Sequence, residues 1–183
     1  KCSVPRYFAL THFALVLTLT LQAVSTIGPG ETKTGTITVG EMDSYFFFAG
    51  AGDTVTILMG SSGGLDRPRV ELHAPTGALL KTASGSYEEA TIQNQRLDQT
   101  GTYFIVCRSD NGTDTGSYGV SLVKNPGSPN STQDPDGGPM QAGETKRGNI
   151  ALGDLDACTF FANAGDTVTI LMGSSGGLDR PRV

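Results

Sequence analysis

The stretch that decides the fold is "AGDTVTILMGSSGGLDRPRV", residues 51–70. Its first half alternates: Val55, Ile57 and Met59 share one parity, and Thr54 and Thr56 take the other. That period of two is the mark of a strand with one buried face. The polar, Gly-rich run that follows is a loop, and "RVELHAP" then resumes the alternation with Val70 and Leu72 on one face. The same 20 residues recur without a change as residues 164–183.

Working outward, the repeat extends upstream at a constant offset of 113, so that "ETKTGTITVGEMDSYFFFAG" faces "ETKRGNIALGDLDACTFFAN". The 40 aligned positions differ at 10, all in the first half. Thr34, Thr36 and Thr38 become Arg147, Asn149 and Ala151, while Ile37 persists as Ile150 and Val39 becomes Leu152. Variation on one parity with apolar retention on the other predicts a half-buried strand with Ile37 and Val39 inward. Phe46 becomes Thr159 and Phe47 stays Phe160, which puts Phe46 outside and Phe47 inside. Met42 becomes Leu155, a volume-conserving swap of the kind a core tolerates.

Downstream, "TGALLKTA", "EATIQNQ", "GTYFIVCRS" and "GSYGVSLVK" complete a series of about eight short strands. "GTYFIVCRS" is apolar on both faces and is expected at the centre of a sheet. "GSYGVSLVK" turns Tyr118, Val120 and Leu122 inward. Turn signals every 8–12 residues predict an all-β, antiparallel sandwich or jelly roll. The expected organisation is a complete module at 31–124, a Pro/Gly/Asp-rich linker at 125–143 and an incomplete second copy at 144–183. The natural chain is expected to continue beyond residue 183.

Residues 1–25 differ from the rest. Lys1 and Arg6 precede an apolar run, and Ala23-Val24-Ser25 supplies the small residues a signal peptidase reads. This is a signal peptide, expected to form an apolar helix and to be cleaved near Ser25, so the product is secreted or on the cell surface. The run is too short and too polar for a stable membrane span. Removal of the leader leaves Cys107 and Cys158, which make no disulfide framework and no CxxC metal site. Cys107 shares the inward parity of Tyr103 and Ile105. A net charge of −5 argues against nucleic acid, which needs a basic face.

"GEMDSYFFFAGAGDTVTILM" resembles the opening of the bacterial pre-peptidase C-terminal domain family, through Gly40, Asp43, Tyr45 and Phe47, then Ala51, Gly52, Val55 and Ile57. "RVELHAPTGALLKTAS" and "LDQTGTYFIVCRSDNGTDTGSYGVSLV" resemble its middle and closing strands. The resemblance implies a non-catalytic β-sandwich accessory or binding module of an exported enzyme, often a peptidase, or of a surface protein; because residues 31–124 hold the full strand set, that module is expected to fold alone as a monomer. It also implies extracellular protein or polysaccharide partners, and calcium in some members, with ligands near the linkers. The family's name places the module after a peptidase, whereas here it directly follows the leader. A structural stalk or adhesin repeat is the alternative. The rival fold is immunoglobulin-like: residues 98–103 resemble a tyrosine corner, but the spacing is one residue longer, Trp is absent and no cysteine pair brackets the core. Tyr103 is read as the same device in a different topology.

No catalytic residues are assigned. The one histidine after the leader, His73, is expected to face solvent, and Glu88 and Glu89, adjacent in sequence, would point to opposite faces. Asp110, Asn111 and Asp114 gather oxygen ligands in one loop and are the candidate calcium residues; Asp134 and Asp136 in the linker are a weaker pair. No cofactor is required. Ser61, Ser62, Asp66, Arg67 and Arg69, identical in both copies (the last two as Arg180 and Arg182), are the candidate ligand-binding loop.

Overall fold

A computed structural model describes residues 25–85 and 88–175. The signal segment at 1–24 lies outside the described residues. Nine strands build the sandwich: β1 Ser25–Thr26, β2 Glu31–Ile37, β3 Met42–Ala49, β4 Thr54–Ser62, β5 Pro68–His73, β6 Leu79–Ser84, β7 Glu89–Arg96, β8 Gly101–Ser109 and β9 Gly116–Asn125. They form a five-stranded sheet, β1-β3-β8-β5-β6, and a four-stranded sheet, β2-β9-β4-β7. Two further residue pairs, β10 Gly138–Pro139 and β11 Cys158–Thr159, make a separate parallel ladder. The described residues contain no helix, so none is long and apolar enough to cross a membrane.

The inner faces carry the parity read from the sequence. Val55, Ile57 and Met59 of β4 meet Tyr118, Val120 and Leu122 of β9, and both rows pack on Phe47, Val70, Leu72, Tyr103, Ile105 and Cys107 of the opposite sheet. Each such side chain contributes about 1.5–3 kcal/mol when fully buried. Central placement of β8, between β3 and β5, follows from its two apolar faces. Its outer Phe104 packs edge-on against Phe46 at 5.1 Å between ring centroids. On the inner side Phe47 stacks on Tyr103 at 5.6 Å. Tyr103 closes a corner: its hydroxyl donates to Gln99 O at 2.7 Å and accepts from Gln99 N at 3.2 Å.

Three expectations need correction. Val39 and Met42 are exposed rather than core. β2 ends at Ile37, and residues 38–41 form a tight turn in which Glu41 Oε2 accepts from both Thr38 N and Thr38 Oγ1. The alternation stops where that turn reverses the chain, so parity no longer assigns a face. The sheet is also not wholly antiparallel, because β1 pairs in parallel with β3. At two residues, β1 is too short for any periodicity to reveal it.

Candidate functional site

The two loops singled out in the sequence lie 40 or more residues apart and come together at one end of the sandwich. Asp110 N donates to Arg67 O at 2.9 Å. Arg67 Nε lies 3.7 Å from Asp114 Oδ2. Leu65 is buried and pins the first loop to the core, and Ser61, also buried, donates its hydroxyl to Leu65 O at 2.6 Å. Ser61 is therefore a loop brace, whereas Asp66 and Arg67 are exposed. Arg69 turns onto the outer face of β5, where its Nη1 reaches Asp110 Oδ1 at 3.0 Å and its Nε reaches Glu71 Oε1 at 2.9 Å.

Asp110, Asn111 and Asp114 are engaged by different partners. Asp110 accepts from Arg69 and, at 2.9 Å, from Ser84 Oγ, and these bonds hold its carboxyl below the usual range. Asn111 organises the tip: its Oδ1 accepts from Thr113 N and Asp114 N, and its Nδ2 donates to Asp114 Oδ1 at 2.7 Å. Asp114 Oδ2 is buried without a hydrogen bond.

Sequence reasoning missed the ladder beside these loops. Glu71 receives Arg108 Nη2 at 2.9 Å and His73 Nε2 at 3.1 Å. Burial raises the Glu71 carboxyl, but the hydrogen bonds from Arg108 and His73, with the charges of Arg108 and Arg69, outweigh it and leave it lowered. His73 faces outward as expected, with Nδ1 3.2 Å from Gly77 O. The signal for the ladder was present as Arg69, Glu71 and His73 at alternate positions of one strand. Beyond it the same outer face carries Phe46, Phe104 and the exposed Phe48.

A second acidic group joins the linker to the second copy. Asp134, Asp136 and Asp156 each place a carboxylate oxygen within 4.8 Å of the others. Burial, then the charges of Asp154, Asp134 and Asp136, push Asp156 up to about 6. Burial, then a hydrogen bond and charge from Asp154, raise Asp134. Asp156 Oδ1 is buried without a hydrogen bond. In the first copy the equivalent Asp43 accepts from Tyr118 Oη at 2.6 Å. Cys107 is buried, which pushes its thiol far up, and Cys158 is exposed.

No protein-family model matches the chain, and no curated protein matches its sequence. Among solved structures, the chain is similar to the pre-peptidase C-terminal domain of collagenase from Bacillus anthracis, with a TM-score of 0.47 and 19% identity over 55% of this chain and 95% of that one. It is also similar to PliG of Aeromonas hydrophila, a periplasmic inhibitor of g-type lysozyme, with a TM-score of 0.40 and 17% identity over 54% of this chain and 96% of that one. PliG of Salmonella Typhimurium gives 0.39 and 14%, over 55% and 98%.

Proposed function

We propose that this chain is a secreted, non-catalytic binding module, carried by an exported bacterial enzyme or a surface protein, that engages an extracellular protein or polysaccharide. The observation that carries this reading is the convergence of residues 60–69 and 109–116 at one end of the sandwich, next to an outer face bearing Arg69, Arg108, Phe46 and Phe104. Arginine and aromatic side chains are enriched among those that anchor protein contacts, and Phe46 and Phe104 are half-buried here. Ser62, Asp66 and Arg67 form the rim, and Arg69 is the fixed cation behind it. The test is binding of the full chain to a panel of immobilised matrix proteins and polysaccharides, with Arg67→Ala and Asp66→Ala alongside. Loss of binding in the variants at unchanged melting temperature supports the reading. Binding that ignores both substitutions, or none at all, overturns it.

Calcium, which the family resemblance implies, has two candidate places. The loop offers Asp114 Oδ2 and Asp110 Oδ2, because Arg69 and Ser84 both bond Asp110 through Oδ1. The linker cluster offers three carboxylates in mutual reach, one with an unbonded oxygen, which suits an oxygen-seeking cation better. There Asp134, Asp136 and Asp156 would hold the ion, and the ion would cancel their repulsion. Millimolar calcium is expected to protect the linker from limited proteolysis in the wild type and in Asp114→Asn, but not in Asp136→Asn. Protection lost in Asp114→Asn instead assigns the ion to the loop, and no protection in the wild type removes calcium from both places.

A further inference from the structure

Residues 38–42 and 151–155 are the same turn in the two copies, and they share a conformation. Glu41 N donates to Thr38 O at 3.0 Å, and Asp154 N to Ala151 O at 3.3 Å. Glu41 Oε2 caps Thr38 N at 2.8 Å, as Asp154 Oδ2 caps Ala151 N at 3.2 Å. Gly40 and Gly153 occupy the left-handed region at φ 75° and 69°. Their surroundings differ, although Gly40 N is held by Gly112 O of the 109–116 loop at 3.0 Å. A Cβ on Gly40 would meet nothing within 4 Å, and Val39 beside it is exposed. A Cβ on Gly153 would strike Gly119 O.

The surface under Gly153 is built to receive it. Gly60 of β4 and Gly119 of β9 face each other across the strand pair. Their inner neighbours Met59, Tyr118 and Val120 point into the core, so both glycines lie on the outer face. A Cβ on Gly60 would lie 2.6 Å from Gly153 N, and one on Gly119 would overlap Leu152 O. Two facing glycines inside central strands weaken a sheet unless another backbone must come close. Here it does. Ser121 Oγ, buried, donates to Gly153 O at 2.6 Å, and Thr32 Oγ1 donates to Asp154 Oδ1 at 3.0 Å.

We infer that this glycine saddle is a receptor for the β2–β3 turn of the module, and that the turn at residues 38–42, whose Gly40 Cα side and Val39 are open, docks on the saddle of a second copy of the module as residues 151–155 dock within this chain. The duplicated block carries Gly173 at the position of Gly60, so half of a second saddle is already encoded. Each copy then offers a turn at one place and a saddle at another, a heterologous contact that adds modules head to tail without closing. In the chain as it stands the saddle is filled by its own second copy, tethered by a short linker at an effective concentration in the millimolar range. The inference uses neither the loop ligands nor calcium, so it fails or holds separately from the proposed function.

The experiment frees the saddle. In the full chain, Gly153→Val places a side chain at a left-handed φ and against Gly119 O, which unseats the inner turn while leaving the first module untouched. Sedimentation equilibrium from micromolar to millimolar protein is expected to show a weight-average mass rising past two chains for this variant and not for the wild type. Adding Gly119→Val closes the saddle, and adding Val39→Asp alters only an exposed side chain of the outward turn; each is expected to return the mass to that of the wild type. Val39→Asp decides the matter if Gly119→Val fails to fold. A Gly153→Val chain that sediments like the wild type throughout overturns the inference, as does association that survives Val39→Asp.

Discussion

Residues 51–62 and 164–175 have one sequence and two fates. In the first, Val55, Ile57 and Met59 retain 1%, 0% and 0% exposure; in the second, Val168, Ile170 and Met172 retain 49%, 54% and 41%. The first is strand β4, hydrogen-bonded to β9 along its whole length and to β7 on its other edge. The second, among the described residues, pairs with nothing as a strand. Identical propensity and identical alternation therefore do not make the strand. Two flanking strands and an opposite sheet do, because β preference is largely the fit of side chains to a half-buried surface. An isolated ribbon lacks that surface.

The largest effect expected from this contrast is a paired substitution. Ile57→Ala should lower the unfolding free energy by about 2–5 kcal/mol, since it removes a fully buried side chain and leaves a cavity. Ile170→Ala, the same change in the same local sequence, should stay within about 0.5 kcal/mol. Urea titration of both variants checks it, and equal losses would break the comparison.

A smaller effect separates Asp43 from Asp156. Tyr118→Phe removes the hydroxyl that donates to Asp43 and bonds Tyr45 Oη at 2.6 Å. A loss of about 1.5–3 kcal/mol is expected, the range for a hydrogen bond to a charged group. Asp43→Asn in the Tyr118→Phe background should then cost little more. If the two changes add in full, the bond is not what holds this carboxylate.

Smaller still is the pH response of the first module. Glu71, Asp110 and Asp53 all have lowered carboxyls; for Asp53 the leading cause is a hydrogen bond from Lys124 Nζ at 2.7 Å. A group whose folded pKa is depressed adds stability above its unfolded pKa and loses it as pH falls through the folded value. Asp156, pushed up to about 6, acts the other way, so melting temperature should gain slightly as pH falls through about 6 and then decline below the ordinary carboxylate range, and Glu71→Gln should make that decline shallower. A decline that Glu71→Gln leaves unchanged contradicts the assigned pairs.

Much of this was legible in the sequence, for a physical reason. Where a strand has two neighbours and one buried face, side-chain alternation is the fold, so the rows of β4, β5, β8 and β9 could be read residue by residue. Val39 and Met42 could not, because an apolar residue in a turn keeps the parity of a strand that has already ended. Ser61 was read as a ligand group and is a buried brace, since the carbonyl it needs, Leu65 O, is fixed only once Leu65 enters the core. The glycine saddle was invisible for a related reason: Gly60 and Gly119 are explained by a segment that begins more than 30 residues further on. Of the candidate sites, the loop residues were found by their oxygen content, whereas Asp156 gains its importance only from its three-dimensional neighbours.

The pairing of β2 with β9 has a mechanical consequence. Glu31, which opens β2, lies opposite Leu122 near the close of β9, so the chain enters and leaves the four-stranded sheet at the same end of two adjacent antiparallel strands. Tension applied through the chain pulls those ends apart and loads the ladder one hydrogen bond at a time, like a zipper, instead of loading all of its bonds together in shear. A module strung between an anchor and a load should thus open at low force and lengthen, acting as an extensible link rather than a rigid tether. Single-molecule stretching from the two termini would read this as a low unfolding force, and a high, shear-like force peak would contradict it.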